Sequence, residues 1–171
     1  MFNKYIKLGL AVIIVGWSIF EFTLGHIGNG ISLVLLAGVF VFFYFKNEMI
    51  LMAFLRMRKQ DFAGANKWLD RIKNPSSALI KKQEGYYNFM KGIMTSQTNL
   101  NESEKYLKNA LKMGLSMKHD QAMAKLQLAG IAMTKRRKRE ATMLLNEAKQ
   151  LDKYNMLADQ IKLFKEQLKR I

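Results

Sequence analysis

Five consecutive cations, Lys135-Arg136-Arg137-Lys138-Arg139, are the densest concentration of chemistry in this chain. Ammonium and guanidinium groups carry only donors, so a run of them suits ligands rich in anionic oxygen, phosphates above all. A smaller cluster, Arg56, Arg58 and Lys59, offers the same chemistry. Like charges repel one another and a turn does not need them to fold. The run therefore reads either as a solvated turn or as a dock for an anionic lipid surface, an RNA or ribosome surface, or an acidic protein. Tyr86, Tyr87 and Phe89 sit at helical spacing with Met90 and Ile93, as core residues do, and not on a platform for base stacking. Any nucleic-acid contact would run through phosphates and be sensitive to salt.

Nothing else in the sequence is arranged for catalysis. The two histidines, His26 and His119, fall in a predicted turn and at a predicted helix start, so they do not form a metal pair. There is no glycine-rich phosphate loop, nucleophile elbow or pair of carboxylates. Glu140, Glu147 and Asp152 read as partners for lysines on solvated helix faces. The chain has no cysteine, which excludes disulfides and cysteine-based metal or redox sites and fits a reducing compartment. The expectation is a protein that is not an enzyme, with no cofactor, no metal and no small-molecule substrate.

The elements that must position the cations begin with two apolar segments, about 8–24 and 27–45, joined by Gly25-His26-Ile27-Gly28-Asn29-Gly30. Each is close to the roughly 20 residues needed to cross a bilayer core of ~30 Å. No small-x-small cleavage site follows Phe20 and a second apolar run comes at once, which argues against a signal peptide. Lys4 and Lys7 on one flank and Lys46, Arg56, Arg58 and Lys59 on the other place both ends in the cytoplasm by the positive-inside rule. Residues 1–46 are thus expected to form a transmembrane hairpin. Its setting is a bacterial-type inner membrane, N-in and C-in.

Of 28 lysines and arginines only Lys4 and Lys7 precede Lys46, and of 13 acidic residues only Glu21 does, so nearly all of the net +15 belongs to the remainder. That remainder, about 125 residues, suffices for one cored domain. It lacks alternation at period two, whereas apolar residues recur at three and four, as in Leu107, Ala110, Leu111 and in Leu144, Leu145, Ala148, Leu151. Sliding the sequence by 38 residues superimposes Ala65, Ser103 and Ala141; Trp68, Tyr106 and Leu144; Leu69, Leu107 and Leu145; and Ile72, Ala110 and Ala148. Upstream, Met52, Met90 and Leu128 align, as do Leu55, Ile93 and Ile131. The spacing predicts first helices near 47–59, 78–96 and 117–135, with partners near 61–73, 101–113 and 138–151. A last amphipathic helix, about 155–170, carries Leu157, Ile161, Phe164 and Leu168.

In each window a small residue is followed four later by an apolar one and three later by a small or modest one. On these residues, over 47–152, the chain resembles the tetratricopeptide repeat proteins, whose helical hairpins of about 34 residues carry this pattern on the second helix. Ala141, Leu145 and Ala148 match it well and Ser103, Leu107 and Ala110 nearly so; Ile72 is large where a small residue is usual. Met52-Ala53 and Leu128-Ala129 fit the first-helix pair, whereas Lys91 breaks it with Gly92 one step late. The period exceeds 34, and no unit ends in the usual proline. The resemblance implies an all-α helical-repeat solenoid of three units, capped by residues 153–171. It also implies a groove lined by Ile50, Phe54, Met57, Asn88, Thr95, Met123, Leu126 and Met133, where a partner helix or peptide would dock. The alternative for these residues is plain core, or cover by the last helix.

If the second span ran straight into the helix at 47–59, that helix would climb ~20 Å from the bilayer, placing both basic clusters away from lipid. The chain then reads as a membrane-anchored adaptor. Its basic domain would recruit a ribosome or other polyanion, or an acidic protein, to a membrane complex such as an export or insertion machinery. The runner-up is an accessory subunit that stabilises a transporter or secretion assembly through its hairpin, with the basic domain lying on anionic lipid. Gly9 and Gly16, seven apart, would let a partner span approach, or would pack the two spans together.

Overall fold

A computed structural model describes residues 4–45 and 48–170, leaving aside the side chains of Lys4, Tyr5, Lys7, Phe43 and Phe45. Among these residues the chain is all-helical, with ten helices and no strand. It divides into two compact units, Met1–Gln83 and Glu84–Ile171.

In the first unit, α1 (Lys4–Thr23) and α2 (Ile27–Phe45) form an antiparallel hairpin. Small residues make the seam: Ala11, Ser18, Gly30 and Ala37 are buried, and the Ser18 hydroxyl donates to the Gly30 carbonyl at 2.9 Å. A Cβ on Gly30 would meet the Phe22 ring at 2.6 Å, so a larger residue there would displace that ring. The large apolar side chains face outward instead, with Val12, Ile13 and Leu35 each about two-thirds exposed. Gly9 and Gly16 have open space where a Cβ would sit, so they do not pack the two helices together. Glu21 closes the turn, within 3.0 Å of His26 Nδ1 and accepting from Asn29 and Trp17 at 3.4 Å.

No helix, among the described residues, is long and apolar enough to cross a membrane. The expected spans at about 8–24 and 27–45 are not supported as full crossings. The junction at Lys46 and Asn47, on which the expected climb of the next helix depends, lies outside the described residues.

The hairpin is followed by α3 (Glu48–Arg58), α4 (Phe62–Asp70) and a single turn, α5 (Pro75–Ala78). Asp61 caps α4 by accepting from the Gly64 amide at 2.8 Å. Pro75, whose missing N–H suits a helix start, opens α5. The second helix of this pair was expected to reach 73 and stops at Asp70.

Nearly all of α6 (Lys81–Thr95) belongs to the second unit, followed by α7 (Leu100–Met113), α8 (Lys118–Thr134), α9 (Lys138–Leu151) and α10 (Ala158–Lys169). Each packs antiparallel to its neighbour through short connections, with α8 at the centre. In α6 and α7 the contact rests on small residues: a Cβ on Gly92 would meet Leu107 Cγ at 2.7 Å, and Ser103 Oγ donates to the Gly92 carbonyl at 2.7 Å. Gly92 thus fills the small position of the second unit, where Lys91 breaks the pattern. Asp152, buried, accepts from the amides of Met156 and Leu157 at 3.1 and 2.7 Å, so a built loop replaces the first turn of the expected last helix.

The 38-residue period recurs in this architecture. The N-caps of α4, α7 and α9 are Asp61, Asn99 and Arg137. Ala65, Ser103 and Ala141 are fully buried, as are Leu69, Leu107 and Leu145. In the first helices the columns are uneven, since Met90 and Leu128 are buried whereas Met52 and Leu55 are each 45% exposed.

Candidate functional site

The five cations occupy the turn from α8 into α9. The Arg137 amide donates to the Ala132 carbonyl at 2.8 Å and the Arg136 amide to Met133 at 2.9 Å, the paired bonds of a helix-ending Schellman turn. Such a turn needs one left-handed residue, normally glycine, and here it is Arg136 with φ 57°. The turn from α3 into α4 is built alike, with Asp61 bonded to Arg56, Gln60 to Met57, and Gln60 at φ 60°.

Capping differs between the copies. Asp61 and Asn99 accept helix amides through their side chains, whereas Arg137 stands at the same repeat position and cannot. Lys138 and Arg139 then enter the first turn of α9, where the helix dipole disfavours cations. Glycine's place, the cap's place and the first turn have each been given to a cation.

The side chains fall into two groups. Lys135 Nζ bonds Glu104 at 2.6 Å and Asn101 Oδ1 at 2.6 Å, and Arg137 reaches Glu104 at 3.1 Å and Glu140 at 3.4 Å. Lys108 joins the same Glu104 at 2.6 Å. Hydrogen bonds from Lys108 and Lys135 hold the Glu104 carboxyl down to about 2. The second group, Arg136, Lys138 and Arg139, is exposed and makes no ion pair among the described residues. Two of the five cations therefore brace the corner of α7, α8 and α9, and three remain available.

The smaller cluster is mostly occupied. Arg56 pairs with Asp61 at 2.7 Å, which, with the Gly64 amide, holds that carboxyl below its usual range. Arg58 lies 5.6 Å over the Phe54 ring, and Lys59 is exposed.

The expected groove residues divide. Leu126 and Met133 are core, because α8 packs on both sides and buries most of its surface. Asn88 is buried and donates to the Glu84 carbonyl at 2.8 Å, and Thr95 bonds back to Lys91 at 2.8 Å. Met123 remains half-exposed, in a stripe with Gln127 and Gly130. Phe164 of α10 lies 3.2 Å from where a Cβ on Gly130 would be, so the last helix covers one end of that stripe. Ile50, Phe54 and Met57 are half-exposed in the first unit. Phe89 and Met90 are core, and Tyr86 is held by Asp120 at 2.8 Å. Among the described residues no group of acidic, histidine or cysteine side chains is placed to hold a metal.

Sequence reasoning did not find Glu104 as the hub of the corner. The signal was its i,i+4 spacing to Lys108, but nothing in one sequence announces the reach to Lys135 and Arg137. Comparison with known protein families, curated proteins and solved structures gave no match.

Proposed function

We propose that this protein is a membrane-anchored adaptor that docks a phosphate-rich polyanion on its 135–139 turn, RNA at a ribosome surface being the specific candidate. The observation that carries the reading is the misfit between that turn and its own cations. Arg136 sits in a conformation that costs about 1 kcal/mol against glycine, and Arg137 holds a capping position without capping. Arg137 gains ion pairs to Glu104 and Glu140 in exchange, but Arg136 gains none, and a local rule broken without gain to the fold marks a place kept for another purpose. Phosphates arriving at Arg136, Lys138 and Arg139 would meet three cations and the positive end of α9 together.

The hairpin supplies the anchor. Ala11, Ser18, Gly30 and Ala37 face inward and the large apolar residues outward, the reverse of a water-facing helix pair and the arrangement suited to lipid. In this reading α1 and α2 insert into a bacterial-type inner membrane with both ends cytoplasmic. The helical pairs that follow form a tetratricopeptide-like scaffold, supported by helix starts recurring at 61, 99 and 137. The scaffold brings its partner to a membrane complex such as an export or insertion machinery and has no catalytic role.

Gentle detergent extraction from native membranes, followed by sedimentation, tests the recruiting half. Co-sedimentation with ribosomes at low salt, lost at high salt and in R136Q/K138Q/R139Q, is expected. Co-purification with membrane proteins alone, indifferent to salt and to the substitutions, would overturn it.

A further inference from the structure

The second unit has another edge, made by the helix ends opposite the basic turn. Because α8 runs antiparallel to α7 and α9, the loops at 114–117 and 152–157 lie together beside the start of α8. Gln121 donating to the Leu115 carbonyl at 2.7 Å ties the first of them there, and the Lys125–Glu147 pair fixes the direction of α9. On this edge three large side chains stand in solvent: Met117 is 59% exposed, Tyr154 86% and Met156 67%.

The second loop is built to hold them out. The Asp152 carboxylate takes two loop amides, Asn155 turns the chain at φ 54°, and Leu157 is buried. Tyr154 and Met156 are left with no packing role. Around these residues Lys112, Lys118, Lys149 and Lys153 are all exposed. Asp120 and Asp152 are turned into the fold, which leaves Asp159 as the exposed carboxylate nearby.

We infer that this edge rests on an anionic bilayer, with Met117, Tyr154 and Met156 entering the headgroup boundary and the four lysines meeting lipid phosphates. Lysine is depleted where proteins bind one another, whereas a tyrosine with flexible apolar neighbours in a ring of lysines suits the membrane interface. The opposite edge, with Arg136, Lys138 and Arg139, then faces away from the lipid. The inference rests on the membrane reading of the hairpin and adds a second contact to it.

The chain has no cysteine, so Met156→Cys in the full chain can carry a single environment-sensitive fluorophore. The labelled protein is reconstituted into phosphatidylcholine vesicles with and without phosphatidylglycerol, with Gln97→Cys as the label for the other edge. In anionic vesicles the Met156 label should shift to the blue and be quenched by brominated lipid, while the Gln97 label stays aqueous. High salt and K112Q/K118Q/K149Q/K153Q should each reverse the shift. A label at Met156 as wet in anionic as in neutral vesicles, in protein that floats with them, overturns the docking edge alone. Protein that does not float with either kind of vesicle overturns the hairpin reading and this inference with it.

Discussion

Arg136 separates the two demands made on the basic turn. Its left-handed backbone serves the helix ending, and glycine would serve it better. Arg136→Gly is therefore expected to stabilise the chain by about 1 kcal/mol in a thermal melt while weakening polyanion binding. A purely structural arginine would show the first effect without the second. Glu104 has the opposite character, since its carboxylate gathers Lys108, Lys135 and Arg137 and its pKa falls to about 2. A carboxyl depressed on folding adds stability that is complete above its unfolded value of about 4.5 and is lost as pH falls from there through about 2. Glu104→Gln should lower stability by about 1–2 kcal/mol at neutral pH and flatten the acid limb of a melting-temperature profile. An unchanged acid limb would show that the cluster is not held this way.

The helical pairs were legible because burial acts at fixed spacing along one face. The columns at 65, 103, 141 and at 69, 107, 145 are buried in every unit. What resisted reading were facts made by neighbours. Leu126 and Met133 of α8 looked available to a groove, yet a helix packed on both sides leaves little face free. One of the two readings of Gly9 and Gly16 put them in the seam, which runs through Ala11 and Ser18 instead. The hold of Asp152 on its loop depends on a conformation that no periodicity encodes. The close pairing of α6 with α7 gives a prediction at this scale. Gly92→Ala should cost about 1–3 kcal/mol in chemical denaturation, because its methyl group would overlap Leu107 and the shift would strain the Ser103 bond. A neutral effect would mean that the two helices part easily.

At the scale of the whole chain, charge and apolar surface are segregated. Residues 8–45 contain a single charged side chain, Glu21, while the remainder carries nearly all of the net +15. Within the second unit the segregation repeats, with apolar side chains among lysines on one edge and unpaired cations on the other. Composition alone discloses the first division. The second needs the fold, because residues 117 and 154 are far apart in sequence and are brought to one edge only by antiparallel packing. Both divisions lead to one claim, that a single chain holds lipid and polyanion at once. The most direct test is flotation of anionic vesicles reconstituted with the full chain in the presence of labelled single-stranded RNA, over a range of salt. RNA should rise with the vesicles at low salt, and R136Q/K138Q/R139Q should carry much less of it, with a salt slope of binding lower by roughly 2. RNA carried equally well by that variant, or protein left at the bottom of the gradient, would contradict the claim.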